Sequence, residues 1–219
     1  MKPSVGIFGG TFDPIHFGHL RMAQELGESL NLDEIRFIPA ARPPHRAEPH
    51  VAAQQRADMV GLAIAGNPLF KLDTREFERA GPSYMVDTLS SLRAELGNDT
   101  PMALLLGADA FLGIPIWHRW QALFDLAHIA VAHRPGFALD AGNPQMSPEL
   151  RSVWQQRYRD QAEGTAGHIL LREITALDIS ASHIRHSLNQ HRSPRYLLPE
   201  AVSDYIQTHH LYEKKPHGT

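Results

Sequence analysis

Short apolar runs alternate with stretches of helical periodicity through the first two-thirds of the chain. The apolar runs predict strands near Val5–Phe8, Glu34–Pro39, Phe70–Leu72, Ala103–Leu106 and His128–Ala132. Apolar residues recurring every three to four positions predict helices over Phe17–Leu30, Ala52–Ala65, Met85–Leu96 and Gln121–Leu126. Farther on, Pro135 to Pro148 is rich in Gly, Asn and Pro and reads as a long loop. A helix over Pro148–Gln161, a strand over His168–Arg172 and helices over Ala181–Asn189 and Pro199–Thr208 complete the pattern, with Lys214 to Thr219 expected to fray.

Strand–helix alternation of this kind argues for an α/β fold, a parallel sheet with helices on both faces. Such sheets bind ligands beyond the carboxyl ends of their strands, near the point where strand order reverses. Three polar motifs fall at such ends. They are the glycine run from Gly9, Gly107-Ala108-Asp109, and His133-Arg134-Pro135-Gly136.

At 219 residues the chain can bury a sizeable core, and its length suits one domain or one with an appended subdomain. Its 24 acidic against 21 basic residues include no Lys/Arg block, so no nucleic-acid partner is expected. The absence of cysteine excludes disulfides, thiolate metal sites and a Cys nucleophile. Glycines interrupt the first apolar stretch by Gly6, and no apolar run is long enough to span a bilayer. A cytoplasmic protein without a membrane partner is the expectation.

The densest chemistry lies in Gly9-Gly10-Thr11-Phe12-Asp13-Pro14-Ile15-His16-Phe17-Gly18-His19. Glycines after a strand let the backbone approach a ligand, and the helix that follows offers unpaired N–H groups to an anion. Two imidazoles add directional donors, suited to charge that builds on oxygens during nucleotidyl transfer. Spaced i and i+3, His16 and His19 could instead share a zinc ion or be a structural pair. No obvious carboxylate or third imidazole partner completes a zinc set nearby, and the glycines favour phosphate.

Other motifs carry a functional and a plain reading side by side. Pro43-Pro44-His45-Arg46 is a stiff loop ending in two donors, or an ordinary turn. Arg56 could face the same cleft or water. Ser83 is a natural N-cap for the helix beginning Tyr84-Met85, whose start could receive a substrate anion. Asp109 could accept from ribose hydroxyls or cap a helix. Trp117, before His118, could offer a π face to a cationic ring or belong to the core. Trp120 and Trp154 suit packing. In Ile179-Ser180-Ala181-Ser182-His183-Ile184-Arg185, a serine caps a helix and Arg185 follows a turn later, within reach of phosphate oxygens. His183 and His186 read as incidental.

Gly-Gly-Thr-Phe-Asp-Pro-x-His-x-Gly-His and Ile-Ser-x-Ser-x-Ile-Arg, in this order, resemble the nucleotidyltransferase superfamily with a His-x-Gly-His signature. Pro-Pro-His-Arg at 43–46, Ser-Tyr-x-x-Asp-Thr-Leu at 83–89, Gly-x-Asp at 107–109 and Trp117 resemble its branch of bacterial nicotinate mononucleotide adenylyltransferases. The likeness runs from about Val5 to Tyr212. Met85 and Ser182 stand where relatives often carry Thr.

The resemblance implies a Rossmann-like, doubly wound sheet in one nucleotidyltransferase domain over 1–219, with a small C-terminal helical part at about 178–212. It implies transfer of AMP from ATP to nicotinate mononucleotide, a step of NAD biosynthesis, with Mg2+ accompanying ATP and no protein metal ligands. ATP would lie against Gly9, Gly10, Thr11, Phe12, His16, Gly18, His19, Gly107, Asp109, Ser180 and Arg185. Of these His16, His19 and Arg185 would be catalytic. The mononucleotide would meet Thr11, His45, Arg46, Ser83, Tyr84, Met85, Thr88, Trp117, His118 and Arg134. A homo-oligomer is compatible with this pattern. Pantetheine phosphate adenylyltransferases and cytidylyltransferases resemble the first loop equally, and a non-catalytic nucleotide sensor is a third reading.

Overall fold

A computed structural model describes residues 2–44, 48–136, 139–175 and 177–213. Six strands form one parallel sheet: β1 (Val5–Gly10), β2 (Glu34–Pro39), β3 (Phe70–Leu72), β4 (Met102–Gly107), β5 (His128–His133) and β6 (Ile169–Glu173). Among the described residues eight α-helices connect or follow them: α1 (Phe17–Ser29), α2 (Ala53–Ile64), α3 (Met85–Leu96), α4 (Ala108–Leu112), α5 (Leu123–Leu126), α6 (Pro148–Arg157), α7 (Ala181–Asn189) and α8 (Glu200–Thr208).

Strand order is β3-β2-β1-β4-β5-β6, with every pairing parallel. The order reverses between β1 and β4, so the carboxyl ends of those two strands flank the switch point where such sheets bind ligands. Gly10 ends one and Gly107 the other. The expected doubly wound sheet is the observed one.

The central strands β1, β4 and β5 read as near-continuous apolar runs because both sheet faces are covered there. Side chains alternate between two cores. Phe8, Phe37, Ala103, Leu105 and Ala130 face a core completed by α1, α2 and the C-terminal Ile184, Val202, Ile206 and Leu211. Ile7, Ile38, Leu104, Leu106 and Val131 face the other, completed by α3, α4, α5 and α6.

Two segments depart from the sequence reading. The helix expected over Pro148–Gln161 ends at Arg157, because Tyr158 turns extended (φ −65°, ψ 133°) and Arg159 N–H donates to Ile169 O at 3.0 Å. Pairing beside β6 overrides helical propensity there. Between β4 and β5 the chain forms α4 and two 3₁₀ turns, Ile114–Ile116 and Trp120–Ala122, so the helix expected from Gln121 begins as a tighter turn. The loop from Pro135 is anchored, since Leu139 and Met146 are buried in the second core.

Candidate active site

Two cavities open at the switch point, of about 340 and 360 Å3, and they share the walls Gly9, Gly10, Thr11, Leu106 and Ala110. The first is lined further by Ala40, Pro43, Pro44, Ser83, Tyr84, Met85, Asp109, Gly113, Ile116, Trp117 and His118. The second is lined further by Phe12, Asp13, His19, Met22, Glu48, His50, Gly107, Ala181 and Arg185. Each has the size of a small-molecule site. The glycine turn after β1 is thus a common wall between a chamber rich in aromatic rings and a chamber holding a guanidinium and an imidazole.

Glycine leaves room for neighbouring side chains along and behind this wall. A Cβ on Gly9 would overlap Met85 Cε, and one on Gly10 would come within 2.9 Å of the Phe12 ring. On Gly18 a Cβ would lie 3.0 Å from His16 Nδ1. That glycine lets the His16 ring fold back over the start of α1.

His16 is the N-cap of α1, with extended backbone and no side-chain capping bond. Its ring stacks on that of His19, with centroids 3.7 Å apart and planes at 22°. His16 is 5 % exposed and its Nδ1 is buried without a hydrogen-bond partner. Burial lowers its pKa to about 4, so the imidazole is neutral at pH 7. His19 reaches the second chamber and His16 stands behind it. The helix start lends fewer open amides than the sequence reading expects, since Phe17 N–H donates to Leu197 O at 3.0 Å.

Arg185, on α7, donates to the carbonyl of Asp13 at 2.7 Å and to Ser182 Oγ at 3.2 Å. Ser180 caps α7 by accepting from His183 N–H at 3.2 Å. It lies beside Ala181, which lines the second chamber, but is not itself in the wall. His183 and His186 are exposed, in keeping with an incidental role.

In the first chamber the rings of Tyr84 and His118 stack at 4.3 Å and 29°, and Trp117 lies half-buried beside them. Asp109, in the first turn of α4, faces this chamber one residue from the shared wall at Ala110. Trp154 is core, edge-on to Phe111 and stacked on Tyr158.

Several sequence expectations need correction. Ser83 is not the N-cap of α3; Tyr84 holds that position without a side-chain cap, and Ser83 Oγ accepts from Arg42 N–H at 3.0 Å. Thr88 is fully buried and donates to Glu76 Oε1 at 2.6 Å, so it lines neither chamber. Arg134 is exposed, pairs with Asp178 at 3.2 Å and also lines neither. His45 and Arg46 lie outside the described residues. Arg56 points neither at the cleft nor into water. It is 1 % exposed and donates to Thr11 O at 2.6 Å, Ala40 O at 2.7 Å and Val51 O at 3.2 Å. Burial pushes its pKa below the usual arginine value, and the charge of Asp13 opposes that shift. Its place on the same stripe of α2 as Met59 and Val60 was the available signal.

Asp13 and Tyr212 carried no role in the sequence reading. Asp13 is 6 % exposed. Its Oδ1 accepts from the Tyr212 hydroxyl at 2.7 Å and its Oδ2 from His50 N–H at 3.0 Å. Among the described residues no group of three His, Asp or Glu is gathered to hold a metal ion, and no helix is long and apolar enough to cross a membrane.

The profile of the cytidylyltransferase-like family matches residues 7–187. A probable nicotinate-nucleotide adenylyltransferase of Dechloromonas aromatica is 51% identical over 216 residues, covering 97% of this chain and 99% of that protein. One from Pseudomonas aeruginosa is 46% identical over 217 residues, covering 99% and 100%. Among solved structures, the Plasmodium falciparum nicotinic acid mononucleotide adenylyltransferase complexed with NaAD shares the fold. Its TM-score is 0.69 at 19% identity, over 96% of this chain and 97% of that one.

Proposed function

The chain belongs to the cytidylyltransferase-like family, and on that premise we propose that it transfers AMP from ATP to nicotinate mononucleotide, giving deamido-NAD and pyrophosphate. The observation that carries the reading is the pair of chambers meeting at Gly9, Gly10 and Thr11. Two nucleotides laid in them would bring their phosphates together at the shared wall. Relatives at 51% and 46% identity bearing the adenylyltransferase name support the same reaction.

In this reading ATP occupies the second chamber, where Gly9, Gly10, Thr11 and Phe12 offer backbone, and His19 and Arg185 offer side-chain donors. Nicotinate mononucleotide occupies the first, its ring among Tyr84, Trp117 and His118 and its phosphate at Thr11. An oxygen of that phosphate attacks the α-phosphorus of ATP in line, forming the new P–O bond as the bond to pyrophosphate breaks. No protein nucleophile is needed. The chain aligns the reactants and stabilises charge on the oxygens in flight. His19 and Arg185 are the donors that reach the chamber, with His16 orienting the His19 ring by stacking. Asp109 lines the first chamber next to the shared wall at Ala110, and in this reading it accepts from the ATP ribose across that wall.

A divalent cation, Mg2+ in this reading, neutralises nucleotide phosphate charge when bound. The donor set suits an ion that travels mainly on the phosphates, because the described residues gather no carboxylate cage. We read 1–219 as one nucleotidyltransferase domain with the helical part at about 178–212 appended, working in the cytoplasm without a nucleic-acid or membrane partner.

The test is pyrophosphate release from purified protein with ATP, Mg2+ and either nicotinate or nicotinamide mononucleotide. Preferred turnover of the nicotinate compound is expected. Equal use of both would remove the specificity, and release only with another acceptor, such as phosphopantetheine, would replace the substrate. ATP binding with no release for any acceptor would leave a nucleotide sensor.

A further inference from the structure

Asp13 poses a problem for a polyanion site. It is a buried carboxylate in the wall of the chamber assigned to the ATP phosphates, with Oδ2 4.0 Å from Arg185 Nη1. An acid so placed competes with phosphate for the same guanidinium. The structure occupies it from the other side. Tyr212 Oη donates to Oδ1 at 2.7 Å, and His50 donates to Oδ2 through its backbone N–H at 3.0 Å, with its ring nitrogen at 3.3 Å. Arg185 meets the Asp13 backbone carbonyl instead, at 2.7 Å.

We propose that Tyr212 is a positioning residue for the ATP chamber, which by holding Asp13 keeps Arg185 turned toward the phosphates. The proposal rests on the assignment of ATP to the second chamber. Tyr212 lies past the end of α8 and is 8 % exposed, with a backbone φ of 64°. An aromatic residue in the left-handed region is strained, and such strain persists where surrounding contacts over-determine it. Burial, then the charge and hydrogen bond of Asp13, push the Tyr212 hydroxyl above the usual tyrosine range, so it remains a donor. Without that hydroxyl, Oδ1 loses its partner and the carboxylate draws the guanidinium inward.

Tyr205 supplies the internal control. Its hydroxyl donates to Asp58 Oδ2 at 2.8 Å, tying α8 to α2 away from both chambers. Tyr212→Phe and Tyr205→Phe each remove one tyrosine–carboxylate bond from the same C-terminal part. Affinity for a non-hydrolysable ATP analogue, α,β-methylene ATP, is measured by titration calorimetry, and affinity for nicotinate mononucleotide by tryptophan fluorescence. Tyr212→Phe is expected to weaken the analogue about fivefold, the scale of coupling through a side-chain network, and to leave the mononucleotide unchanged. Tyr205→Phe is expected to change neither. Wild-type analogue affinity in Tyr212→Phe, or equal losses in the two variants, overturns the proposal.

A second measurement needs no nucleotide. If Arg185 turns inward in Tyr212→Phe, then Arg185→Ala lowers the urea midpoint more in that background than in wild type. Additive effects overturn the proposal. Should wild type fail to bind the analogue, the ATP assignment falls while this cycle still decides the role of Tyr212. Should Tyr212→Phe fail to fold, Asp13→Asn replaces it in the calorimetry. Removing the competing charge there is expected to hold or tighten analogue affinity, and a large loss counts against the competition.

Discussion

Arg56→Met removes a cation while keeping an apolar stem of similar length, and the structure sets the cost. Three carbonyls lose their donors, at 2.6, 2.7 and 3.2 Å. A hydrogen bond to a charged group contributes about 1.5–3 kcal/mol net, and a buried acceptor left alone costs about 1–3 kcal/mol. Desolvation of the guanidinium, visible in its lowered pKa, offsets part of this, because methionine has no charge to bury. The net expectation is a loss of about 3–5 kcal/mol. For a chain of this length each kcal/mol lowers Tm by about 2–4 °C, so the variant should melt at least about 6 °C and more nearly 10 °C below wild type.

Two of the three carbonyls also matter to function. Thr11 and Ala40 both line the first chamber, so variant that remains folded at low temperature should show a raised KM for the mononucleotide. Arg56→Lys, with one ammonium in place of a fork, should fall between the two. Calorimetry and urea unfolding followed by tryptophan fluorescence measure the change. A loss under about 1 kcal/mol for Arg56→Met, or a lysine variant equal to wild type, would refute the argument that a planar three-way donor holds this wall.

Other expectations follow from the same geometry. His19→Ala should cut turnover on the order of a hundredfold, the usual effect of losing one preorganised donor, with Tm nearly unchanged; near-normal pyrophosphate release would remove its role. Gly18→Ala should push the His16 ring away from its stacked position and lower turnover while the helix itself tolerates alanine; wild-type kinetics would show that the ring can shift freely. His16 and His128 are both held at a pKa of about 4 by burial, below 6.5. The unfolded chain then binds protons the folded one does not, so the contribution of these two groups is full above about pH 6.5 and is lost between there and pH 4, by about 3 kcal/mol for His16 alone at the lower end. Urea midpoints measured across that range should slope downward with acid, and His128→Asn should flatten the slope; a flat wild-type profile would contradict buried neutral imidazoles.

The sheet was legible because its central strands are buried on both faces. Val5–Phe8 and Ala103–Leu106 are short apolar runs that two cores demand, and the glycines after them are where the backbone must meet a ligand. Pieces governed by local competition were harder to read. Helix α4 is five residues long and ends at Gly113, too short for periodicity to register. Tyr158 leaves the helical path only because a strand eleven residues later accepts the pairing, which no local window contains.

The site divides in the same way. Residues that line the two chambers sit in dense local motifs, and those motifs, with the resemblance they carry, singled them out: Gly9, His19, Trp117, Asp109 and Arg185. Residues that hold those groups in place act across the chain, and they were not. Asp13 lies 199 positions from Tyr212 and 172 from Arg185. A carboxylate in a phosphate site looks like a defect when read locally, since it repels the ligand. Its value lies in accepting capacity. Two oxygens and a backbone carbonyl take bonds from the C-terminal tyrosine, the segment at His50 and helix α7. An asparagine could keep both contacts only with its single oxygen on His50 N–H and its NH2 on the Tyr212 hydroxyl, which would then accept rather than donate. Arg56, held nearby, supplies a compensating charge without competing for substrate, because its donors are committed to carbonyls. The acid is therefore compatible with a polyanion site only while its oxygens are occupied, and that condition is met by residues far away in sequence.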